Sequence, residues 1–220
     1  MSTLTTAPLA VVIDSFFAES TTTASTAYPV ESLSEGERDR LMRSKTAYRD
    51  LYSRLKDLPL AVSRETGMLL YMLARGGGAR TIVEFGTSFG LSTLYLAAAL
   101  RDNGGGLLVT SEFEPSKVAK ARENLTAGGV MDLVDIREGD ALQTLANGLP
   151  ESIDMLLLDG AKALYPEILG LVESRLRSGA FVIADDASHS PEYLSRVRCT
   201  GNGYLSTPLA DDVELSIRLG

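Results

Sequence analysis

The stretch Thr81-Ile82-Val83-Glu84-Phe85-Gly86-Thr87-Ser88-Phe89-Gly90-Leu91-Ser92 constrains this chain more than any other. A β-branched run leads into an acid, two glycines bracket a tight turn, and an apolar helical pattern follows. That sequence predicts a strand, a glycine turn and a helix N-terminus. In an α/β sheet, ligands gather outside the carboxyl ends of the strands, where such turns stand. The order Glu84-x-Gly86-x-x-x-Gly90 departs from the G-x-G-x-x-G of dinucleotide folds.

The rest of the chain fits around this turn. Helices are predicted from Pro8 to Ala18 and from about Glu35 to Asp57, the latter opened by the Ser34/Glu37 capping box and ended by Pro59. Its stripe of Leu41, Tyr48, Leu51 and Leu55 should be buried. Ser20 to Pro29 is rich in Ser, Thr and Ala and reads as a loop. Ser63 can cap a third helix that ends at Gly76-Gly77-Gly78. From Thr81 onward strands and helices alternate. Strands are predicted at Thr81–Phe85, Leu107–Ser111, Val134–Glu138, Ile153–Leu158 and Ala180–Ala184, then Tyr204–Thr207 and Val213–Leu219. Helices are predicted at Leu91–Leu100, Pro115–Ala127 and Tyr165–Leu176, with a helical turn at Pro191–Arg198. The fold class is therefore α/β: a Rossmann-like, doubly wound, mostly parallel seven-stranded sheet with its last strand antiparallel, plus N-terminal helices. Residues 1–62 form an N-terminal helical extension, and residues 63–220 the main domain.

Composition narrows the function. A net charge of −8, with no Lys/Arg-rich run, argues against a nucleic-acid surface. The single cysteine, Cys199, rules out an internal disulfide and suits a reducing compartment. No apolar run reaches the length of a membrane span, and the N-terminus lacks the features of a secretory signal. A cytoplasmic protein is expected.

Acids recur where the strands end: Glu84; Glu112 and Glu114; Asp140; Asp159, followed by Lys162; then Asp185 and Asp186. Any one alone reads equally well as a helix cap or a solvated turn. Recurrence after five strands points to a site. Glu112, at the tip of the second strand, is placed to accept both hydroxyl protons of a ribose. A pyrophosphate needs closely spaced glycines. Here Thr87, Ser88 and Phe89 separate them, which better suits an amino-acid end group, with helix amides and Ser92 near its carboxylate and Glu84 near its ammonium.

With these residues in view, the chain resembles the class I S-adenosylmethionine-dependent methyltransferases. More narrowly, it resembles the cation-dependent O-methyltransferases, which include the catechol and caffeoyl-coenzyme A enzymes. The similarity runs from about Ser63 to Leu219. It rests on the glycine turn, Thr110-Ser111-Glu112, Glu138-Gly139-Asp140-Ala141, Leu158-Asp159-Gly160-Ala161-Lys162 and Ala184-Asp185-Asp186. The resemblance implies that Glu84, Gly86 and Ser92 hold the methionine portion, covered by Val62 and Ser63. It places Glu112 at the ribose, and Asp140 and Ala141 near the adenine, with Asp159 also facing the cofactor. Asp159, Asp185 and Asp186 match metal ligands, and Lys162 matches the lysine beside them.

The implied reaction is methyl transfer to a hydroxyl of a small, catechol-like aromatic acceptor. A divalent cation, expected to be Mg2+, would assist, and all-oxygen donors suit such a hard ion. Asp159 and Lys162 are the implied catalytic residues, with Lys162, if desolvated beside the cation, depressed in pKa and acting as base. Two departures from the family pattern stand out. Asp185-Asp186 replaces the usual Asp-Asn, and the small pair Gly160-Ala161, in a chain without tryptophan, suggests a wide acceptor pocket. His189, the one histidine, reads as structural or solvated more readily than catalytic. The alternatives are a metal-independent O- or N-methyltransferase and a non-catalytic cofactor-binding protein. A homodimer paired through the N-terminal helices is the expected partner arrangement.

Overall fold

A computed structural model describes residues 2–23 and 34–220. In chain order the elements are α1 (Leu9–Thr23), α2 (Glu35–Met42), α3 (Tyr48–Arg54), α4 (Arg64–Gly76), β1 (Thr81–Phe85), α5 (Leu91–Asp102), β2 (Leu107–Glu112), α6 (Pro115–Ala127), β3 (Val134–Glu138), α7 (Ala141–Thr144), β4 (Ile153–Leu158), α8 (Tyr165–Val172), β5 (Leu176–Ala184), α9 (Pro191–Val197), β6 (Tyr204–Pro208) and β7 (Glu214–Arg218).

The seven strands form one sheet in the order β3-β2-β1-β4-β5-β7-β6. β3, β2, β1, β4 and β5 pair in parallel, and β7 runs antiparallel to both β5 and β6. The expected doubly wound sheet, with its last strand reversed, is borne out. From β1 the chain winds outward to β2 and β3, then returns to continue from β4 on the other side. This change of direction leaves a crevice at the carboxyl ends of β1 and β4.

Strand alternation sends side chains to two cores. Ile82, Leu108, Met155, Leu157 and Ile183 face α4, α5 and α6, while Val83, Val109, Leu156, Leu158 and Val182 face α7, α8 and α9. Every residue of α5 from Leu91 to Leu100 is buried. A helix apolar on all sides needs cover on its outer face too. Leu9, Ile13 and Phe16 of α1 supply it, together with Leu70 and Ala74 of α4.

Four local expectations need correction. Ser20 to Thr23, read as loop, continues α1, and residues 24–29 of that stretch lie outside the described residues. The long helix from Glu35 to Asp57 is two helices. Ser44 Oγ accepts the Ala47 amide at 2.9 Å, a side-chain bond that competes with helix continuation. Leu41 and Leu51 still bury together across the break, with Leu55 only partly buried. Finally, α8 stops at Val172 and β5 begins at Leu176 rather than Ala180. The longer strand accommodates a register shift opposite Ile153 and Met155, around Gly179 at φ +80°.

Candidate active site

The turn after β1 is held by backbone conformations only glycine adopts easily. Gly86 has φ +101°, and a Cβ there would stand 2.5 Å from the Asp159 carbonyl oxygen, so β1 and β4 close together only because this residue lacks one. Ser88 also lies in the left-handed region, at φ 47°. That conformation aims its amide at Glu112 Oε2, 2.9 Å away. Glu112 Oε1 accepts the Glu114 amide at 3.0 Å. The carboxylate thus ties the tip of β2 to the glycine turn, and burial pushes its pKa up.

Glu84 is fully buried. Its two oxygens accept the hydroxyls of Ser92 and Thr93, each at 2.6 Å, from the first turn of α5. Burial raises its pKa, and these donors work against the rise. Asp140 caps α7 through the Leu142 amide at 3.0 Å, and it also pairs with Arg49 of α3.

The ends of β4 and β5 carry the strongest electrostatics. Lys162 is 5% exposed. Its ammonium lies 3.2 Å from Asp159 Oδ1 and 3.4 Å from Asp186 Oδ2. Asp159 is pushed up to about 6, first by burial. Asp185 is pushed up to about 7, first by burial and then by the facing Asp159. Asp186 sits at φ 49° with its side chain about half exposed. Tyr165 donates from its hydroxyl to the Asp185 carbonyl at 2.8 Å, fixing the strand end. Burial works to lower the Lys162 pKa, but Tyr165 first, then Asp159, Tyr52 and Asp186, outweigh it and raise it.

A cavity opens over the ends of β1, β2, β3 and β4, with Lys162, Asp185 and Asp186 off its wall. Gly86, Glu112, Asp140, Ala141 and Asp159 of the predicted set lie on its wall. Val62 and Ser63 do not: Val62 belongs to the α4/α5 core, and Ser63 caps α4 through the Thr66 amide at 3.0 Å. Glu84 and Ser92 lie deeper, beneath the turn. Sequence reasoning missed Tyr48, Tyr52, Leu60, Phe113 and Lys117, which line the same cavity. The Tyr48/Tyr52 pair at i,i+4 was the available signal, but it reads equally as core. The Tyr52 hydroxyl lies 3.4 Å from the Gly160 carbonyl, which brings α3 over the cavity. Gly160 itself is small for packing reasons: a Cβ there would meet the Phe85 ring at 2.6 Å. Its size therefore does not signal a wide pocket.

The donor chemistry fits a hard divalent ion in one respect and is incomplete in another. Asp159 and Asp185 face each other as a repelling pair, and Mg2+ is commonly held by one or two carboxylates with water and substrate oxygens. Among the described residues, however, no three acids converge as a ready-made metal cluster.

Residues 83–187 match the family described as a methyltransferase domain. The chain is 34% identical over 130 residues to a catechol O-methyltransferase of Niastella koreensis, covering 58% of each. It is 34% identical over 131 residues to a catechol O-methyltransferase of Mycobacterium tuberculosis, covering 59% of each. The matched region thus spans under two thirds of these curated relatives. Among solved structures, the O-methyltransferase TomG of Streptomyces achromogenes, involved in tomaymycin synthesis and bound to S-adenosylmethionine, superposes with a TM-score of 0.63. Its identity is 29%, over 88% of this chain and 95% of that one. These similarities bear out the resemblance to the class I S-adenosylmethionine-dependent methyltransferases.

Proposed function

We propose that this chain, with its methyltransferase domain over residues 83–187, is an S-adenosylmethionine-dependent O-methyltransferase acting on a hydroxyl of a small, catechol-like aromatic molecule. One observation carries the reading. A buried lysine pairs with Asp159 and Asp186 at the ends of β4 and β5, and Asp159 also lines the cavity that Glu112 enters from β2. Donor recognition and acceptor chemistry therefore meet at Asp159. The relatives named as catechol O-methyltransferases support the acceptor class.

In this reading Glu84, Gly86 and Ser92 hold the methionine end, Glu112 the ribose, and Asp140 and Ala141 the adenine. Asp159 and Asp185, with Asp186 beside them, would hold a divalent cation, Mg2+ in the first instance. The donor supplies an electrophilic methyl group, and the cation supplies Lewis acidity toward a hydroxyl. The chain's own work is positioning and proton control. Lys162 remains protonated while it is paired with Asp159 and Asp186. It becomes a competent base once those carboxylates are engaged elsewhere. Tyr52 and α3 close the cavity against water.

A second reading has one observation in its favour. Lys162 already places a positive charge between Asp159 and Asp186, so the chain supplies its own cation. The experiment separates the two. Catechols, flavonoids and polyketide-like phenols are incubated with labelled S-adenosylmethionine, with and without Mg2+. Methyl transfer that needs the ion and stops on chelation is the expected result. Transfer that survives exhaustive chelation selects the metal-independent reading, and transfer to amines alone overturns the O-methyltransferase assignment.

The N-terminal helices also bear on assembly. α1 and α4 expose Val11, Met68 and Met72. A homodimer through this surface belongs to the same proposal, and a monomeric mass by light scattering at working concentration overturns it.

A further inference from the structure

Lys117 occupies a place that folding alone does not favour. It is the third residue of α6, in the first turn, where the helix dipole repels a cation. It is 3% exposed. Burial pushes its pKa down, although the Glu112 and Glu114 carboxylates pull the other way. Among the described residues it forms no ion pair. Its one hydrogen bond runs to Ser88 Oγ at 3.3 Å, and the Phe89 ring centroid lies 5.8 Å from the ammonium. An ammonium has three N–H donors, so two are left without a partner in a side chain that lines the cavity. A methionine would fill the same volume without the charge.

The neighbours identify what the free donors face. Ser88 connects the two charged groups, since its amide donates to Glu112 and its hydroxyl accepts from Lys117. An acceptor carboxylate and a donor ammonium therefore stand on either side of one residue, at the β2 end of the cavity. A vicinal diol needs such a pair. Its hydroxyl protons require an acceptor, and its oxygen lone pairs can take a donor. Lys162 and its acids belong to β4 and β5, so this second lysine is not part of that cluster.

We propose that Lys117 is a ribose-binding residue of the donor site, donating to a ribose hydroxyl oxygen whose proton goes to Glu112. This rests on the reading that S-adenosylmethionine binds here. Each bond formed gives a partner to an N–H that no side chain among the described residues satisfies.

Calorimetry on the full chain tests it with S-adenosylhomocysteine and its 2′-deoxy and 3′-deoxyribosyl analogues. Lys117→Met should weaken S-adenosylhomocysteine by about tenfold. At least one deoxy analogue, already lacking the partner oxygen, should bind wild type and variant alike. Lys117→Arg, which keeps a donor, should recover most of the affinity, and thermal midpoints show whether both variants fold. Unchanged affinity in a folded Lys117→Met overturns the proposal. So does an equal loss for all three ligands, which would mark a structural role. Should Lys117→Met not fold, wild type and Lys117→Arg decide: wild type binding all three ligands equally overturns it. Failure of wild type to bind S-adenosylhomocysteine at all instead overturns the functional reading beneath it.

Discussion

A Cβ at Gly86 would press 2.5 Å from the Asp159 carbonyl oxygen, in a backbone conformation that side chains rarely adopt. Gly86→Ala should therefore destabilise the fold by about 1–3 kcal/mol and weaken donor binding, measurable by chemical denaturation and calorimetry. The same residue scale decides the chemistry. Lys162→Ala and Asp159→Ala should each lower turnover by at least about 100-fold while leaving donor affinity largely intact. Undiminished methyl transfer in both variants would remove the proposed mechanism. Asp185 tests electrostatics separately. Its raised pKa of about 7 means that the folded state holds a proton that the unfolded chain has already lost at neutral pH. That contribution to stability is full below the unfolded value near pH ~4 and is lost as pH rises through about 7. At pH 8, Asp185→Asn should raise the thermal midpoint by a few degrees in metal-free buffer while abolishing activity.

The short helix α3 shows what an element can do that its sequence does not announce. Tyr48 packs into the α7/α8 core, Tyr52 reaches the Gly160 carbonyl and Arg49 pairs with Asp140. α3 thus covers the cavity through contacts more than 90 positions away in sequence. The Arg49 side chain is half exposed, so its ion pair is worth about 0–1 kcal/mol at most. Arg49→Ala should weaken donor binding by no more than about fivefold at low salt. The difference should vanish in high salt, where exposed charges are screened. A salt-independent loss would mean that Arg49 acts on the ligand rather than on the cover.

Across the whole molecule, the N-terminal segment is fastened to the sheet domain at one acid. Asp102, at the end of α5, accepts the Thr3 amide and hydroxyl, the Ser2 hydroxyl and the Tyr71 hydroxyl. Burial works to raise its pKa, but the hydrogen bonds from Thr3, Tyr71 and Ser2 outweigh it and bring it down to about 2. A lowered folded pKa contributes stability above the unfolded value near pH ~4, and that contribution is lost as pH falls toward about 2. Asp102→Asn should cost about 1–2 kcal/mol at pH 7. The gap from wild type should narrow on acidification across that window, as denaturation curves at stepped pH would show.

Much of this protein was legible from local chemistry. β-Branched and apolar runs fixed the strands because a strand buried on both faces needs them, and their alternation with helices fixed a parallel sheet. The turn from Gly86 to Gly90 and the acids Glu112, Asp140 and Asp159 could be placed on the cavity because a parallel sheet gathers its strand ends on one side. Contacts between distant residues were not legible, since neither period nor spacing encodes them. Gly160 is small for the ring of Phe85, Lys162 is paired with Asp159 and Asp186, α3 closes over the cavity, and Lys117 is buried beside Glu112. Sequence by itself determined where chemistry can gather; the tertiary structure decided which charges meet, because burial and proximity set a group's protonation and its partners only once the chain has closed around it.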